Sequence, residues 1–412
     1  MVLTVWVLGI GADGAGSLSA RARTALSAAT FVAGGRRHLE LVGPTQAETF
    51  VIGDNIPALV DRLSRRGAEE RCVVLASGDP LFYGVGRALS QSLGSGSVTV
   101  EPSLSSMQLA FARAGLAWDD AVIASVHGRP LADTLRPLLG RPKIGLFTHD
   151  GQSPAMVAAF FLEHGLDDYD AWVAENLGTP DERVHAFGLP ELVGRDFADL
   201  NVLLLQRNGA ASVLEVEGAA AGLDDSYFAQ PDTGPVLLTH ADVRAIVLAR
   251  FRELPEGPIW DVGAGLGGVA VELARAFPRR EVVAVERSAE RLSYLGINRA
   301  RFGAYNLRIV AGEAPEALAG EARPAAIFIG GSGGRLRGVL DQAQEHLLPS
   351  GRLVANFLGL ENLADALAML RSAAWRFSVT QVAVSHDQPL AGLTTLVPER
   401  PVWVVRAVRP AG

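Results

Sequence analysis

The sequence predicts an α/β protein made of two unlike domains. Its 412 residues exceed what one hydrophobic core usually supports. Short apolar runs alternate with helical stretches in both halves, and each half places a glycine-rich loop directly after a strand-like run, GIGADGAG at 9–16 and DVGAGLGG at 261–268. Such alternation is typical of sheets covered by helices, and glycine loops at strand ends are typical of cofactor sites.

The N-terminal part, residues 1–207, is predicted to be a mixed α/β domain. Its clearest strands are VLTVWVL, CVVLAS, VIASV, KIGLFT and NVLLLQ. These runs are short and apolar, and segments with helical periodicity separate them. Residues 208–235 are rich in Ala, Gly and Asp and show no sustained period, which predicts an interdomain connection with little core of its own.

The C-terminal part, residues 236–412, is predicted to form a largely parallel sheet with helices on both faces. The strands are IWDV, EVVAVE, LRIV, AAIFI and RLVANF, and helices are predicted at 267–276, 288–302, 333–347 and 361–373. Thr239, followed three residues later by Asp242, predicts a capping box at the start of the first helix. Strand spacing differs between the halves, which predicts two folds rather than a duplication.

Composition restricts the partners. A formal net charge of −8 disfavours wide surfaces for nucleic acid or anionic membranes. No apolar run reaches the roughly 18 residues of a membrane helix, and the N-terminus lacks the features of a signal peptide, so we expect a cytoplasmic protein. Among 37 basic residues only Lys143 is a lysine. Codon bias in a GC-rich genome is the simpler explanation of this ratio, and the functional alternative is that arginine, which binds carboxylates bidentately, suits an acidic substrate.

Cysteine and histidine usage predicts neither a disulfide nor a metal. Cys72 is the only cysteine, and its apolar setting predicts a buried packing role. The eight histidines include no pair at the spacing H-x-x-x-H that is typical of metal ligands on one helix.

The second glycine loop fits two cofactor classes. Gly263, Gly265 and Gly268 satisfy G-x-G-x-x-G, and Glu286 ends the next strand, as in sites for dinucleotides and for S-adenosylmethionine alike. Asp261, two residues before Gly263, and the stretches GEAPEAL at 312–318 and IGGSGG at 329–334 favour the second class.

Residues 236–412 resemble the CbiT family of cobalamin-biosynthesis methylases in THADVRA, DVGAGLGG, AVER, GEAPEAL and FIGGSGG, in that order. The resemblance implies a Rossmann-like S-adenosylmethionine methyltransferase fold. It implies donor contacts at Thr239, Gly263, Ala264, Gly265, Leu266, Gly267, Glu286 and Ala314. The family more often has Gly-Asp-Ala where this chain has Gly-Glu-Ala at 312–314, which weakens a role for Glu313.

The first glycine loop also satisfies G-x-G-x-x-G, but the second strand, TFVAGG, ends without an acid for a ribose, which disfavours a nicotinamide. The stretches ASGDPLFYGVG at 76–86, PSLSS at 102–106, VHGR at 126–129 and ENLGTPDERV at 175–184 resemble the CbiE family, whose tetrapyrrole-methylase fold binds the donor in a cleft between two lobes. The implied lining is Gly9, Gly11, Gly78, Asp79, Pro80, Gly84, Ser105, Ser106 and Leu177. His127 is open to a role in substrate binding or acid–base chemistry and to a purely structural one.

The two halves in this order resemble the CobL family of decarboxylating precorrin-6Y C5,15-methyltransferases. The resemblance implies two S-adenosylmethionine sites, methylation of a tetrapyrrole polycarboxylate at C5 by the N-terminal half and at C15 by the C-terminal half, loss of the C12 acetate carboxylate in the C-terminal half, formation of precorrin-8, and a homo-oligomer. Methyl transfer needs positioning rather than a covalent nucleophile or a metal, and no catalytic residue is assigned. Arg335 and Arg337, just past a glycine turn, are candidates for binding substrate carboxylates. The fused arrangement favours a metal-free over a cobalt-containing substrate.

Other functions stay open at this point. Both folds also host methyltransferases that act on RNA or protein, although the low net charge disfavours RNA. A nicotinamide-dependent oxidoreductase would account for the glycine loops alone, and a binding module without activity would leave two cofactor clefts unused.

Overall fold

The structure is a computed structural model that describes residues 4–208, 214, 221–232 and 238–411. These residues divide into two compact units, 4–134 with 141–208, and 135–140 with the described part of the chain after 208. No helix within the described ranges is both long and apolar enough to cross a membrane.

The first lobe of the N-terminal unit is a five-stranded parallel sheet in the order β3-β2-β4-β1-β5. Its strands are β1 Val5–Ile10, β2 Phe31–Gly34, β3 Glu48–Val51, β4 Cys72–Ser77 and β5 Val98–Glu101, and the helices around it are α1 Ala20–Ser27, α2 Arg36–Val42, α3 Ile56–Ser64 and α4 Val85–Leu93. Ile10 at the end of β1 pairs with Ser77 at the end of β4. The loops that follow these two central strands therefore lie side by side at one edge of the sheet.

The second lobe is a mixed sheet in the order β6-β7-β10-β8-β9. After α5 Ser106–Ala114 its elements are β6 Val122–Ser125, α6 Leu131–Leu135, β7 Lys143–Phe147, α7 Ser153–Glu163, β8 Tyr169–Glu175, β9 Arg183–Gly188 and β10 Asn201–Arg207. The five strands predicted for this half are confirmed as β1, β4, β6, β7 and β10. Cys72 is buried, as predicted, and burial raises the pKa of its thiol to about 11, which makes it inert.

The C-terminal unit holds a seven-stranded sheet in the order β13-β12-β11-β14-β15-β19-β16. Its elements are α8 Ala241–Leu248, β11 Ile259–Val262, α9 Gly268–Ala276, β12 Val282–Glu286, α10 Ala289–Arg301, β13 Leu307–Ala311, β14 Ala326–Ile329, α11 Leu336–His346, β15 Arg352–Phe357, α12 Leu360–Ser372, β16 Arg376–Val382, β17 Ser385–Leu390, β18 Leu393–Pro398 and β19 Val402–Val408. The five predicted strands are confirmed as β11 to β15, which run parallel with hydrophobic clusters on both faces. The chain changes direction across the sheet between β11 and β14, where α/β proteins bind ligands.

The start of the first helix in this unit differs from the prediction. Helix α8 begins at Ala241, and the residue before it, His240, makes no side-chain cap. The Thr239 carbonyl instead accepts a hydrogen bond from the guanidinium of Arg244, which is fully buried. Thr239 is therefore held by its backbone rather than by a capping box.

The sheet has an antiparallel edge, formed by β16 and β19, and a separate hairpin, β17–β18, neither of which is predicted from the sequence pattern. The hairpin is poor in periodic signal because it contains Pro, His, Asp and Gln within one strand. It exposes several large apolar side chains, namely Leu390, Leu393, Leu396 and Val397.

Part of the predicted connection belongs to the C-terminal core. Residues 209–213, 215–220 and 233–237 lie outside the described residues, but Leu223 and Phe228 are each only 2% exposed and contribute to a core cluster. The Glu272 carboxylate accepts hydrogen bonds from the backbone amides of Gly222 (2.7 Å) and Leu223 (3.1 Å). Residues 221–232 therefore pack into the C-terminal core, contrary to the prediction that 208–235 is a connection with little core of its own.

Candidate functional site

A cleft of about 570 Å³ opens between the two lobes of the N-terminal unit, beside the ends of β1 and β4. Most of the predicted lining residues of this half lie on it: Gly11, Gly78, Asp79, Gly84, Ser105, Ser106 and Leu177. They come from segments as far apart in the chain as those of Gly11 and Leu177, which the parallel first sheet and the second lobe bring together.

Gly9 and Pro80 lie beneath this cleft rather than in its lining. A Cβ on Gly9 would meet the Gly78 carbonyl oxygen at 1.8 Å, so glycine is needed there for the close approach of two backbone segments. Pro80 packs under Gly84, where a Cβ would meet the Pro80 carbonyl oxygen at 2.6 Å. Both residues shape the loops that form the cleft.

Two lining side chains are already used locally. Ser105 caps helix α5 in a capping box with Gln108. One carboxylate oxygen of Asp79 accepts a hydrogen bond from the Leu81 amide at 2.9 Å, as in an Asx turn. These residues therefore offer a ligand mainly backbone groups and the remaining lone pairs.

Two histidines line the cleft, His127, which the sequence had already marked as a candidate, and His38, which it had not. His38 lies with its Nε2 atom 2.8 Å from the Ser77 hydroxyl, and burial and the nearby Arg37 lower the pKa of its ring. The Nδ1 atoms of His127 and His149 lie 3.2 Å apart. His127 lies in the VHGR stretch that resembles the CbiE family, whereas His149, which follows β7, lies in none of the stretches that resemble it.

Aromatic and basic side chains border the same cleft. The rings of Phe82, Tyr83 and Phe147 lie mutually within 5.0 to 5.7 Å between centroids. The Arg129 guanidinium lies 5.5 Å from the centroid of Tyr83. Arg37 and Arg129 have no carboxylate partner within the described part of the chain. A flat apolar molecule with an acidic rim would find both stacking surfaces and free cations here.

Two adjoining cavities of about 440 and 110 Å³ lie at the switch point of the C-terminal sheet and form the second cleft. Six of the predicted contacts line them: Thr239, Gly263, Ala264, Gly265, Glu286 and Ala314. Gly263 has φ +72°, and a Cβ there would lie 2.2 Å from the Gly331 carbonyl oxygen. Only glycine fits this approach of two strand ends.

Leu266 and Gly267 do not line the second cleft. The Leu266 side chain is only 3% exposed, and its carbonyl accepts a hydrogen bond from Asn298. Gly267 has φ +89°, and a Cβ would lie 2.2 Å from a methyl group of Leu295. Their roles are to pack the loop against helix α10 and to turn the chain into α9.

Glu286 organises the loops of the second cleft. Its carboxylate is nearly fully buried and accepts hydrogen bonds from the amides of Gly265 (3.0 Å), Arg287 and Ser288 (2.9 Å each). The Arg291 guanidinium lies 3.6 Å away. The carboxylate therefore fixes the glycine loop while it faces the smaller cavity.

Asp261 is an orphaned carboxylate at the floor of the larger cavity. It is 1% exposed, and neither oxygen has a hydrogen-bond partner among the described residues. Burial, together with the nearby Glu286 charge, raises its pKa to about 7, and a weaker interaction with the Ala270 amide opposes this. The Asn356 side-chain oxygen lines the same cavity, also without a partner there. This cavity therefore presents acceptors that a cationic ligand would satisfy.

The arginines predicted to bind substrate lie outside these cavities. Arg335 makes a bidentate ion pair with Glu316 at 2.5 and 2.6 Å, and Arg337 is exposed on α11. Arg400, which the sequence analysis did not single out, lines the larger cavity and has no ion-pair partner in the described ranges. No local motif marks it, because it reaches the cavity from the strand connection before β19.

The sequence matches two family descriptions. Residues 4–193 match the Tetrapyrrole (Corrin/Porphyrin) Methylases, and residues 233–409 match the Precorrin methyltransferase domain. A precorrin-6Y C(5,15)-methyltransferase [decarboxylating] of Sinorhizobium sp is 34% identical over 97% of this chain and 96% of its own length.

Two shorter relatives each cover under half of the chain. A cobalt-precorrin-6B C(15)-methyltransferase (decarboxylating) of Salmonella typhi is 39% identical over 44% of this chain and 94% of its own length. A cobalt-precorrin-7 C(5)-methyltransferase of Salmonella typhimurium is 33% identical over 43% of this chain and 88% of its own length.

Proposed function

The chain belongs to the family of decarboxylating precorrin-6Y C5,15-methyltransferases, and from that premise we propose that its two clefts bind one donor molecule each and divide the two methylations between them. The enzyme methylates a precorrin at C5 and C15 and removes a carboxylate from it in cobalamin biosynthesis. S-adenosylmethionine supplies each methyl group as a sulfonium.

The orphaned carboxylate of Asp261 carries the proposal for the second cleft. S-adenosylmethionine is cationic at its sulfonium and ammonium groups, so a buried carboxylate without a partner suits it. A nicotinamide dinucleotide brings two phosphates, which the same carboxylate would repel. Glu286, held by three backbone amides, has lone pairs left for ribose hydroxyls.

The first cleft suits a donor together with a macrocycle. Its volume of about 570 Å³ lies within the range typical of small-molecule sites. The ring cluster of Phe82, Tyr83 and Phe147 offers apolar contact to a tetrapyrrole face. Arg37 and Arg129 at the border suit its acidic side chains. We assign methylation at C5 to this cleft.

We assign methylation at C15 and decarboxylation to the second cleft. When the carbon–carbon bond to the carboxylate breaks, its electron pair passes into the macrocycle, carbon dioxide leaves, and a proton adds to the remaining carbon. The protein's part is to orient the acetate. Arg400 is suited to this by its place on the cavity and its lack of an ion-pair partner among the described residues. Arg335 and Arg337 stay predictions, and Arg335 would first have to leave Glu316.

We further propose that the chain forms a homo-oligomer. Leu390, Leu393 and Leu396 are 58%, 75% and 67% exposed on the β17–β18 hairpin. Large apolar side chains clustered on one exposed hairpin favour burial against another subunit. Light scattering on the intact protein tests this, and a monomer at micromolar concentration would contradict it.

Calorimetry with S-adenosylhomocysteine on the intact chain tests the site count. We expect two binding events per chain, and one event would overturn the two-site proposal.

Mass spectrometry of the tetrapyrrole formed by Asp261→Asn at limiting donor tests the division of labour. We expect a product that keeps the carboxylate and lacks the C15 methyl group. Release of carbon dioxide at the wild-type rate would overturn the assignment of decarboxylation to the second cleft.

A further inference from the structure

Two histidines and an aspartate from distant parts of the C-terminal unit meet beside the second cleft. His240 precedes helix α8, Asp242 lies in its first turn, and His386 lies at the base of the β17–β18 hairpin. One ligating atom from each lies within 4.8 Å of the other two. The imidazole rings of the histidines are 4.4 Å apart between centroids.

Two buried ring nitrogens in this cluster, His240 Nδ1 and His386 Nε2, have no hydrogen-bond partner among the described residues. His240 Nδ1 lies 3.4 Å from a carboxylate oxygen of Asp242 without the geometry of a hydrogen bond. Buried nitrogen lone pairs without donors are costly, and a metal ion would satisfy them.

The surroundings of His240 resemble the support that metal-bound histidines usually have. Its other nitrogen, Nε2, lies 3.5 Å from a carboxylate oxygen of Asp225. The second oxygen of Asp225 is fixed by the buried Arg244 guanidinium at 2.5 Å. A carboxylate on the far ring nitrogen orients a ligating imidazole and raises its basicity.

We propose that His240, Asp242 and His386 bind a divalent transition-metal ion, with Zn²⁺ as the best fit to two imidazoles and one carboxylate. Zinc ligands lie about 2.0 to 2.2 Å from the ion, so tetrahedral ligand atoms are about 3.4 Å apart. Closing the widest separation, up to 4.8 Å, to that size takes a shift of roughly 1.4 Å, and His386 lies on the exposed hairpin, where a side-chain rotation could make it. A fourth position is left for water.

The proposed ion would fasten the hairpin to the wall of the second cleft. Thr239 and His240 line that cleft on one side, and Val384, Glu399 and Arg400, at the two ends of the hairpin, line it on the other. A metal between His240 and His386 therefore joins the two sides next to the proposed donor site. This inference does not depend on which ligand the cleft binds.

Sequence spacing does not reveal this cluster. His240 and His386 are 146 positions apart, and His240 with Asp242 forms only a short H-x-D pair. The expectation that the chain binds no metal rested on local spacing, whereas the fold brings the third ligand from the hairpin.

Zinc titration of the intact protein, after treatment with a chelator and its removal, tests the proposal. We expect one Zn²⁺ per chain at micromolar affinity or tighter by calorimetry at neutral pH, and visible absorption bands when Co²⁺ replaces Zn²⁺. His386→Ala and Asp242→Asn should each weaken binding at least about tenfold and remove the Co²⁺ bands. Circular dichroism establishes that each variant is folded.

Two histidine variants in the other unit are matched controls. His185→Ala removes an exposed histidine on β9, and His149→Ala removes one member of the other close histidine pair. Neither should alter zinc affinity. Absence of saturable zinc binding would overturn the proposal. Equal affinity in His386→Ala and the wild type would also overturn it.

Discussion

The two clefts differ in the charge that they present to a bound molecule. The second cleft has a buried carboxylate, Asp261, with no partner among the described residues. Of the described residues that line the first cleft only Asp79 is acidic, and its carboxylate already accepts a hydrogen bond from a backbone amide. Two folds can therefore bind one cationic donor by different means, one with a formal charge and the other mostly with backbone and neutral groups. The difference predicts that substitutions and pH act on one site at a time.

The largest expected effect comes from filling the closest backbone approach in each cleft. Gly263→Val would place side-chain atoms against the Gly331 carbonyl, and Gly78→Val, at φ +53°, would meet the Ser105 backbone at 2.7 Å. Each should remove one of two donor-binding events, a loss of about a hundredfold or more in affinity at that cleft. Calorimetry with S-adenosylhomocysteine measures this.

The control for these glycine variants is Gly296→Ala, because a Cβ on Gly296 meets nothing within 4 Å. It should keep both binding events. If Gly263→Val retains two events while its fold is intact by circular dichroism, the proposed position of the second donor site is wrong.

The next effect concerns Asp261 alone. Asp261→Asn should weaken donor binding at the second cleft about ten- to a hundredfold, because a charged interaction is lost. It should also raise the thermal stability of the unliganded protein at pH 8, since the buried carboxylate no longer has to ionise. Opposite signs for binding and stability distinguish a ligand-binding role from a structural one.

The matched variant in the first cleft is Asp79→Asn, which we expect to change affinity there by several-fold at most. A larger loss for Asp79→Asn than for Asp261→Asn would reverse the comparison between the clefts. Calorimetry gives the affinities and differential scanning fluorimetry the unfolding temperatures.

A smaller difference between the clefts is expected in how donor affinity depends on pH. The folded pKa of Asp261, about 7, is raised above its ordinary value of 3.8, so its contribution to stability falls as pH rises between these values. A cationic donor binds the ionised form, and its affinity for the second cleft should therefore rise about tenfold from pH 6 to pH 8 and then level off. The Asp261→Asn variant should lose this dependence. A wild-type second site that binds equally at pH 6 and pH 8 would contradict it.

The smallest effect should come from an arginine at the edge of the second cleft. Arg400→Ala should raise the KM for the tetrapyrrole in C15 methylation about three- to tenfold and leave donor affinity unchanged, because one exposed cation is lost. Arg335→Ala should have less effect than Arg400→Ala, because Arg335 is already paired with Glu316. Steady-state kinetics on both variants would show whether that order is reversed.

The sequence predicted where the loops of each candidate site lie, because that position depends on local chain geometry. Loops such as 261–268 follow apolar strands, and parallel strands bring their carboxyl ends to one edge, so their place was accessible from pattern alone. Gly9 and Gly267 matched the same motifs but serve close backbone packing. A motif identifies a loop and does not say which of its residues face the ligand.

Residues contributed by distant segments were not accessible from the sequence. Phe147 lines the first cleft from the end of β7, and Arg400 lines the second from the connection before the antiparallel strand β19. Hydrophobic periodicity locates strands but does not give the partner of an antiparallel strand added at the edge. Asp261 has no hydrogen-bond partner because no donor among the described residues meets its carboxylate with the geometry of a hydrogen bond, and only the three-dimensional structure shows this.

The packing of 221–232 has a practical consequence for dissecting the protein. A fragment that begins at residue 236 would lack Phe228, whose ring centroid lies 4.7 Å from the Arg244 guanidinium, and Asp225, which forms an ion pair with Arg244. The fully buried Arg244 would keep its ion pair with Glu272 but lose these two contacts. An autonomous C-terminal fragment should therefore begin before residue 221, and two fragments differing only in 221–235 would differ in solubility although both contain every cleft-lining residue.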